Sequence, residues 1–160
     1  MLVKHTLKPI YNKNSKILIL GSIPSIKSRE NNFYYANKQN RFWNIINILF
    51  NQNLTTNKDK ELFLLNNNIA LYDIIKECEI IGSNDSSIKN IKVNDIEKII
   101  NKSNIKYIFL TGKTAFNLYK KYFNNNIEYY YLPSPSSANA TYSLDKLVRE
   151  YKIIKEKLDI

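Results

Sequence analysis

Cysteine and histidine are nearly absent from this chain, since Cys78 and His5 are the only residues of their kinds among 160. A single thiol excludes an internal disulfide framework and a metal site built from cysteines, so we expect Cys78 to be a buried structural residue. We expect the His5 side chain to be exposed to solvent or bonded locally, and we do not assign it the role of a catalytic base.

The chain also lacks the motifs of several common enzyme classes. It has no Walker A loop, no G-x-G-x-x-G fingerprint, no G-x-S-x-G elbow and no cluster of histidines. We therefore expect neither a cofactor nor a metal ion. No apolar run approaches the length that spans a membrane, and the first residues lack the apolar segment and cleavage site of a signal peptide. We predict a cytoplasmic protein with no membrane partner.

Acidic residues are outnumbered, with 14 Asp and Glu against 24 Lys and Arg and a formal net charge of +10. This excess suits a polyanionic partner, although a solvated lysine-rich surface would give the same count. Hydrophobic residues make up 44% of the chain. That share and the length predict one folded domain over residues 1–160, which we expect to be a monomer.

Short apolar runs alternate with helical patterns along the chain. We predict strands at Ile17–Gly21, Ile69–Tyr72, Ile105–Leu110 and Glu128–Leu132. We predict helices at Arg41–Phe50, Lys58–Asn66, Val93–Ile100, Thr114–Phe123 and Leu144–Leu158. Residues 1–16 are predicted as a lead-in loop, 74–78 as a short helical turn and 82–87 as a polar loop. The alternation favours a parallel sheet with helices on both faces.

Two long strand exits stand out. The first follows the strand that ends at Gly21, where Pro24 removes a backbone donor and about twenty residues without apolar periodicity lead to Asn40. Its aromatic residues are Phe33, Tyr34 and Tyr35. Such a loop is suited to stacking on a flat polar ligand and hydrogen-bonding it, although tyrosines in a loop also cap cores.

The second exit is the serine-rich segment that follows the last strand, Pro133 to Ala140. Small hydroxyls and closely spaced amides can bind phosphates without bulky side chains, although an ordinary Ser-Pro turn has the same composition. Because the carboxyl ends of parallel strands meet at one edge of a sheet, we expect the two exits to converge there.

Four spaced motifs resemble a known family. They are Gly21-Ser22-Ile23-Pro24-Ser25 with Tyr34-Tyr35-Ala36-Asn37-Lys38-Gln39-Asn40-Arg41-Phe42-Trp43, then Ile69-Ala70-Leu71-Tyr72-Asp73, Gly82-Ser83-Asn84-Asp85-Ser86-Ser87-Ile88 and Leu132-Pro133-Ser134-Pro135-Ser136-Ser137-Ala138-Asn139-Ala140. In this order they are similar to signatures of the hypoxanthine (deoxyinosine) DNA glycosylases of the uracil-DNA glycosylase superfamily. The departures are Ser25 for a glycine, Asn37-Lys38 for His-Pro, and Tyr72 for a tryptophan.

The resemblance implies a three-layer α/β/α sandwich of the uracil-DNA glycosylase type, with a central four-stranded parallel sheet. It also implies a monofunctional hydrolase of DNA repair, which acts without a cofactor on double-stranded DNA that contains a deaminated base. Hypoxanthine is the base that the resemblance favours. A uracil or mixed-specificity glycosylase on the same fold and a non-catalytic nucleic-acid-binding module remain as alternatives.

The motifs also assign the candidate site residues. A base that leaves an N-glycosidic bond can delocalise negative charge, so a neutral amide donor can assist its departure or hold the water. Asn40 is the motif-matched catalytic candidate, with N-capping of the next helix as its structural alternative. The base pocket is predicted to comprise Gly21, Ser22, Ile23, Pro24, Phe33, Tyr34, Tyr35 and Tyr72. The DNA-binding loop is predicted to comprise Pro133, Ser134, Pro135, Ser136, Ser137 and Asn139.

Overall fold

The computed structural model describes residues 1–81 and 84–159, with only the backbone of Asp85. The strands are β1 Leu2–Lys4, β2 Ile17–Gly21, β3 Ile69–Asp73, β4 Ile75–Glu79, β5 Lys89–Val93, β6 Tyr107–Thr111 and β7 Glu128–Leu132. The helices are α1 Ile26–Asn31, α2 Phe42–Phe50, α3 Asn57–Asn66, α4 Ile96–Asn101, α5 Lys113–Tyr122 and α6 Leu144–Leu158, with a 3₁₀ turn at Asp85–Ser87. None of the helices in these ranges is long and apolar enough to cross a membrane.

The centre of the fold is a parallel sheet of four strands in the order β3-β2-β6-β7. Ile17 of β2 lies in register with Ile69 of β3 and with Tyr107 of β6. All five residues of β2 are buried, as an apolar run covered on both faces requires. The prediction of four parallel strands is confirmed.

The two faces of β2 enter two separate cores. Ile17 and Ile19 pack in a core with residues of α2, α3 and α6, whereas Leu18 and Leu20 pack with residues of α4 and α5. This division follows from the strand period of two, which sends successive side chains to opposite faces. The predicted three-layer α/β/α sandwich is therefore confirmed.

Helix bounds agree closely with the sequence patterns except at α4. Helices α2, α3, α5 and α6 begin and end within one residue of their predicted bounds. Helix α4 begins at Ile96 rather than Val93, because the Asp95 side chain accepts a hydrogen bond from the Lys98 backbone N–H at 3.1 Å and caps the helix there. Val93 instead ends β5.

A second, antiparallel sheet corrects two predictions. Strands β1, β4 and β5 pair in the order β1-β4-β5, so residues 1–16 are not merely a loop and 74–78 are not a helical turn. The register of β4 against β5 shifts along its length, and Ile75 and Cys78 are both buried three residues apart. That spacing imitates a helical pattern. Cys78 is buried, as predicted.

The first exit is not free of regular structure, because Ser25 accepts a hydrogen bond from the Ser28 N–H at 3.2 Å and caps the short helix α1. Asn32 ends that helix in the left-handed region, with φ of 54°. Of the polar loop predicted at 82–87, residues 82 and 83 lie outside the described residues.

Candidate active site

A cavity of about 550 Å³ lies at the carboxyl edge of the parallel sheet, within the range of about 300–1,000 Å³ that is typical of ligand sites. Each strand of the sheet brings a residue to its wall, and these are Asp73 from β3, Gly21 from β2, Thr111 from β6 and Ser134 after β7. The predicted convergence of the two strand exits is confirmed. Three more predicted pocket residues, Ser22, Ile23 and Pro24, also line the cavity.

The floor of the cavity is open because Gly21 has no side chain. A methyl group on its Cα would lie 2.6 Å from Asp73 Oδ1, 3.3 Å from Tyr35 OH and 3.6 Å from Thr111 Oγ1. Three oxygens therefore surround one point of the floor. A polar ligand that reaches this point meets hydrogen-bonding groups from three directions.

Asn40 lines the cavity where the first exit turns into α2. A turn at Asn37 holds it, since the Asn40 N–H donates to Asn37 O at 2.9 Å. Its Oδ1 accepts a hydrogen bond from the Phe42 N–H at 2.9 Å, which covers one of the free donors at the start of the helix. Nδ2 has no partner among the described residues, so the amide can cap α2 with one end and donate into the cavity with the other.

Tyr35 is one of three tyrosines that line the cavity, with Tyr34 and Tyr131. Its ring stacks on Phe42 with centroids 4.1 Å apart and an interplanar angle of 14°. Its hydroxyl lies 3.3 Å from Thr111 Oγ1. The backbone of Tyr35 is left-handed, with φ of 52°, an uncommon conformation for a bulky residue and one that often accompanies functional sites.

Tyr34 reaches the cavity wall but serves mainly to anchor the loop. Only 3% of the residue is exposed, and its hydroxyl donates to Lys8 O at 2.7 Å. Burial raises the pKa of both Tyr34 and Tyr35, and the nearby Asp73 charge raises the pKa of each further. Both phenols therefore remain protonated at physiological pH, and they can act only as neutral hydrogen-bonding groups.

Phe33 and Tyr72 were also predicted for the base pocket, and neither lines this cavity. Phe33 stacks on Trp43 in the core, with centroids 5.9 Å apart. Tyr72 contacts His5 and Asn94 instead. Its ring meets His5 edge to face at 4.9 Å, and its hydroxyl donates to Asn94 Oδ1 at 3.3 Å.

His5 and Asp73 form a buried pair that the sequence did not predict. The His5 side chain is 1% exposed and its Nε2 lies 2.9 Å from Asp73 Oδ2. The expectation of an exposed or locally bonded His5 was wrong, because its backbone N–H donates to Lys76 O at 2.8 Å and extends the small sheet toward Asp73. The two residues are 68 positions apart, and no local pattern signals their contact.

Arg41 joins the two strand exits by hydrogen bonds, a role that the motifs did not indicate. Its guanidinium donates to the carbonyl oxygens of Pro135 at 3.3 Å, Ser136 at 2.8 Å and Asn139 at 3.1 Å, and also to that of Tyr142. The Arg41 backbone N–H also donates to Pro135 O at 3.0 Å. Arg41 thus has a structural role. It fixes the serine-rich segment after β7, residues 133–140 (the serine loop), against the start of α2.

The serine loop is braced internally as well. Ser134 Oγ accepts a hydrogen bond from the Ser136 N–H, and Ser136 Oγ accepts one from the Ala138 N–H, both at 3.2 Å. Asn139 Nδ2 donates to Ser134 O at 3.0 Å. A hydroxyl that accepts in this way still has its own hydrogen to donate. Ser134 and Ser136 can therefore offer O–H groups to an anion at the cavity wall.

The predicted DNA-binding residues divide into two groups. Those that line the cavity are Ser134, Pro135, Ser136 and Asn139. Pro133 does not line it and is buried, with its carbonyl oxygen accepting a hydrogen bond from Tyr151 OH at 2.6 Å. Ser137 is exposed and does not line the cavity.

Two cationic side chains, Arg29 of α1 and Lys113 of α5, also line the cavity. Among the described residues, neither forms an ion pair with a carboxylate. Their charge is therefore available to an anionic ligand at the mouth. Within 1–81 and 84–159, no group of three or more His, Cys, Asp or Glu side chains is arranged to hold a metal ion.

Comparisons with known proteins agree with this arrangement. A model of the uracil DNA glycosylase superfamily matches residues 8–157. A Methanosarcina acetivorans protein named hypoxanthine DNA glycosylase is 30% identical over 150 residues, covering 91% of this chain and 94% of that protein. A Methanosarcina barkeri protein of the same name is 30% identical over 115 residues, covering 70% and 73%. The solution NMR structure of a candidate uracil DNA glycosylase from Methanosarcina acetivorans superposes with a TM-score of 0.83 at 29% identity, covering 100% of both chains.

Proposed function

The chain belongs to the uracil DNA glycosylase superfamily, and we propose that its cavity receives a deaminated base, hypoxanthine above all, from double-stranded DNA. The protein is a DNA glycosylase, a hydrolase that cleaves the N-glycosidic bond between base and deoxyribose. Hypoxanthine as the favoured base is supported by the names of the two curated relatives and by the four motifs. A cavity with several hydrogen-bonding groups in its wall suits such a base.

The orientation of Asn40 carries the catalytic part of the proposal. Its Oδ1 is held by the Phe42 N–H at 2.9 Å, which leaves Nδ2 as the end that faces a ligand. A departing purine accumulates negative charge on its ring and carbonyl, and a fixed neutral donor stabilises that charge without titrating. Loss of one such preorganised donor costs about 2.7–4 kcal/mol of transition-state stabilisation in other enzymes. We assign this role, toward the base or the attacking water, to Asn40.

The base has to leave the DNA stack before it can enter the cavity, at a cost of a few kcal/mol. Stacking on an aromatic ring contributes about 1–3 kcal/mol per base and offsets much of this cost. Tyr35 is the aromatic residue best suited to this task, because its ring is already held in place by Phe42 and by the contact of its hydroxyl with Thr111.

The phosphates of the DNA are proposed to lie along the serine loop. Ser134 and Ser136 have hydroxyl hydrogens to donate, and Arg29 and Lys113 supply positive charge at the same wall. Most hydrogen bonds to DNA go to its backbone, so such contacts position the duplex without reading its sequence. Since all the proposed groups come from one chain, we also propose that the enzyme acts as a monomer on DNA in the cytoplasm, without a metal or cofactor.

Base release from defined duplexes tests the proposal. Purified protein would be incubated with matched duplexes that contain hypoxanthine, uracil or xanthine at one position, and abasic sites would be counted in single-turnover conditions. We expect release of hypoxanthine at the highest rate. Faster release of uracil would shift the assignment to a uracil or mixed-specificity enzyme, and binding without release of any base would indicate a non-catalytic module.

A further inference from the structure

The edge strand β7 exposes aromatic rings beside helix α5. It is the outermost strand of the parallel sheet, and its Tyr129 and Tyr131 lie in register with Ile108 and Leu110, which are buried in the core under α5. The two tyrosines are 40% and 39% exposed. Phe116 of α5 contacts both, with centroids 5.9 Å from Tyr129 and 5.6 Å from Tyr131. These three residues form a partly uncovered patch, the aromatic surface.

Positive charge accompanies the aromatic surface. Lys113, Phe116 and Lys120 recur at spacings of three and four along α5, which places them on one side of the helix. Lys120 Nζ lies 4.7 Å from the ring centroid of Phe116. Among the described residues, neither lysine forms an ion pair with a carboxylate, and α5 contains no acidic residue. The charge therefore suits an anionic partner that also presents flat apolar faces.

The aromatic surface is continuous with the cavity at the carboxyl edge of the sheet. Tyr131 and Lys113 both line that cavity, where β7 ends and α5 begins. From Lys113 to Lys120, the helix extends about 10 Å at 1.5 Å per residue. A stacked DNA strand advances about 3.4 Å per nucleotide. The surface is thus long enough for about three nucleotides next to a base that occupies the cavity.

An unpaired strand can use both the rings and the lysines. Bases inside a duplex stack on their neighbours, so their faces are closed to protein side chains. The bases of a single strand can stack on aromatic residues while its phosphates contact lysines. A duplex would contact the lysines and leave the rings uncovered. The combination therefore favours single-stranded DNA as the partner.

We propose that the aromatic surface binds the single-stranded continuation of the DNA strand that carries the target base. The inference rests on the proposed function, which places that base in the cavity, and adds a second binding site for the same strand. The neighbouring bases stack on the exposed rings, and their phosphates lie near Lys113 and Lys120. The enzyme then binds most tightly where a deaminated base lies at a junction of paired and unpaired DNA.

Duplexes with single-stranded tails test this site. Each carries hypoxanthine in its last base pair, with a 2′-fluorine on that nucleoside to resist cleavage. The target strand continues as a tail of about four nucleotides, on its 5′ side in one set and its 3′ side in another. A blunt duplex and a tail of abasic units are the references, since abasic units keep the phosphates but cannot stack. Stacking of one base corresponds to about 5- to 150-fold in affinity. We expect one tail polarity to bind at least fivefold more tightly than both references.

Variants on the two faces of β7 locate this gain in affinity. The double variant Phe116→Leu and Tyr129→Leu keeps apolar bulk but removes two rings, and it should lose the gain. Lys120→Ala, on an exposed residue, leaves the core intact and should reduce the gain at least twofold. Tyr130 is the matched control, because its ring lies on the other face of β7 with Lys157 Nζ 5.4 Å from its centroid. Tyr130→Leu and Lys157→Ala should keep the full gain.

The outcomes separate this inference from the proposed function. A wild-type enzyme that releases no hypoxanthine from unmodified DNA would overturn the proposed function, and the same tails on lesion-free duplexes would then decide the role of the surface. If hypoxanthine is released but neither polarity gives a gain, or the abasic tail gives an equal one, the assignment is wrong. It is also wrong if the double variant and Lys120→Ala both retain the gain. Self-association that the double variant abolishes, without any effect of the tails, would assign the surface to a contact between copies of the chain.

Discussion

The Oδ1 atom of Asn40 lies 2.9 Å from the backbone nitrogen of Phe42 and accepts its hydrogen bond. One side chain therefore contributes to helix stability and to the proposed chemistry through different atoms. The contact also distinguishes this residue from a simple N-cap, because Arg41 is the residue at the cap position and forms no side-chain cap bond.

The first prediction separates these two contributions. Asn40→Ala should lower single-turnover release of hypoxanthine at least about a hundredfold, because a preorganised donor is lost, and should cost about 1 kcal/mol of stability. Asn40→Asp keeps an acceptor for the Phe42 N–H, loses the donor and adds a negative charge that opposes the charge on the leaving base, so it should be at least as slow but nearly as stable as wild type. Release rates and unfolding free energies of both variants provide the measurement.

Asn47 offers a matched control for this pair of variants. Its Oδ1 accepts a hydrogen bond from the Leu54 N–H at 3.0 Å, and it does not line the cavity. Asn47→Ala should therefore cost a similar amount of stability and leave the rate unchanged. An Asn40→Ala protein with the wild-type rate would mean that the catalytic amide belongs to another residue.

The second prediction concerns the open floor at Gly21. A methyl group there would lie 2.6 Å from Asp73 Oδ1, closer than side-chain carbons approach oxygens, so the carboxylate has to move. We expect Gly21→Ala to slow hypoxanthine release at least tenfold and to cost about 1–3 kcal/mol of stability. In an Asp73→Ala background the same change should cost less, because the obstructing carboxylate is gone. Urea unfolding of the four proteins measures this coupling, and additive costs would contradict the contact.

The third prediction concerns the free charge at the mouth of the cavity. If Lys113 contacts a phosphate, DNA affinity should fall log-linearly with salt concentration, and Lys113→Ala should reduce that slope by about one. Lys106 is an exposed control, since it directly precedes β6 at the opposite edge of the sheet. Lys106→Ala should retain the wild-type slope. Equal slopes for wild type and both variants would remove Lys113 from the DNA contact.

The fourth prediction follows from the buried phenol of Tyr34, whose pKa is raised chiefly by burial. Above the ordinary tyrosine pKa of about 10, an unfolded chain loses this proton while the folded protein keeps it. The stabilisation is complete below about pH 10 and falls as pH rises further, by about 1.4 kcal/mol per pH unit for this residue. Tyr34→Phe should flatten the decline between pH 10 and 11 in urea unfolding, and an unchanged decline would contradict it. Tyr129→Phe, on an exposed residue, controls for the loss of a phenol.

The strands of the central sheet and the helices that cover it were predictable because the sequence pattern of each one is local. Strands β2 and β6 are continuous apolar runs, and helices α2 and α6 repeat apolar residues at helical spacing, so each segment carries its own pattern. The motif residues Gly21, Tyr35 and Asn40 could likewise be placed near one edge, because the strands were predicted to be parallel and their carboxyl ends then meet there.

The parts that escaped prediction depend on contacts between distant segments. Strand β1 has three residues with one buried side chain, too few for a pattern, and β4 is irregular where it pairs with β5. The position of His5 beside Asp73 depends on the pairing of those strands. The guanidinium of Arg41 reached the serine loop through carbonyl oxygens, which every residue possesses and which leave no trace in sequence.

The hydrogen bonds of Arg41 to the segment after β7 set the point during synthesis at which the enzyme can become active. The guanidinium contacts the carbonyl oxygen of Tyr142, and 101 positions separate the two residues. A ribosome that adds about 5–20 residues per second needs about 5–20 s to cover that distance. Throughout that interval the nascent chain displays the aromatic loop and Asn40 without the serine loop that braces them. Competence to cut a glycosidic bond is thus acquired late, when the last strand and the loop after it have left the ribosome.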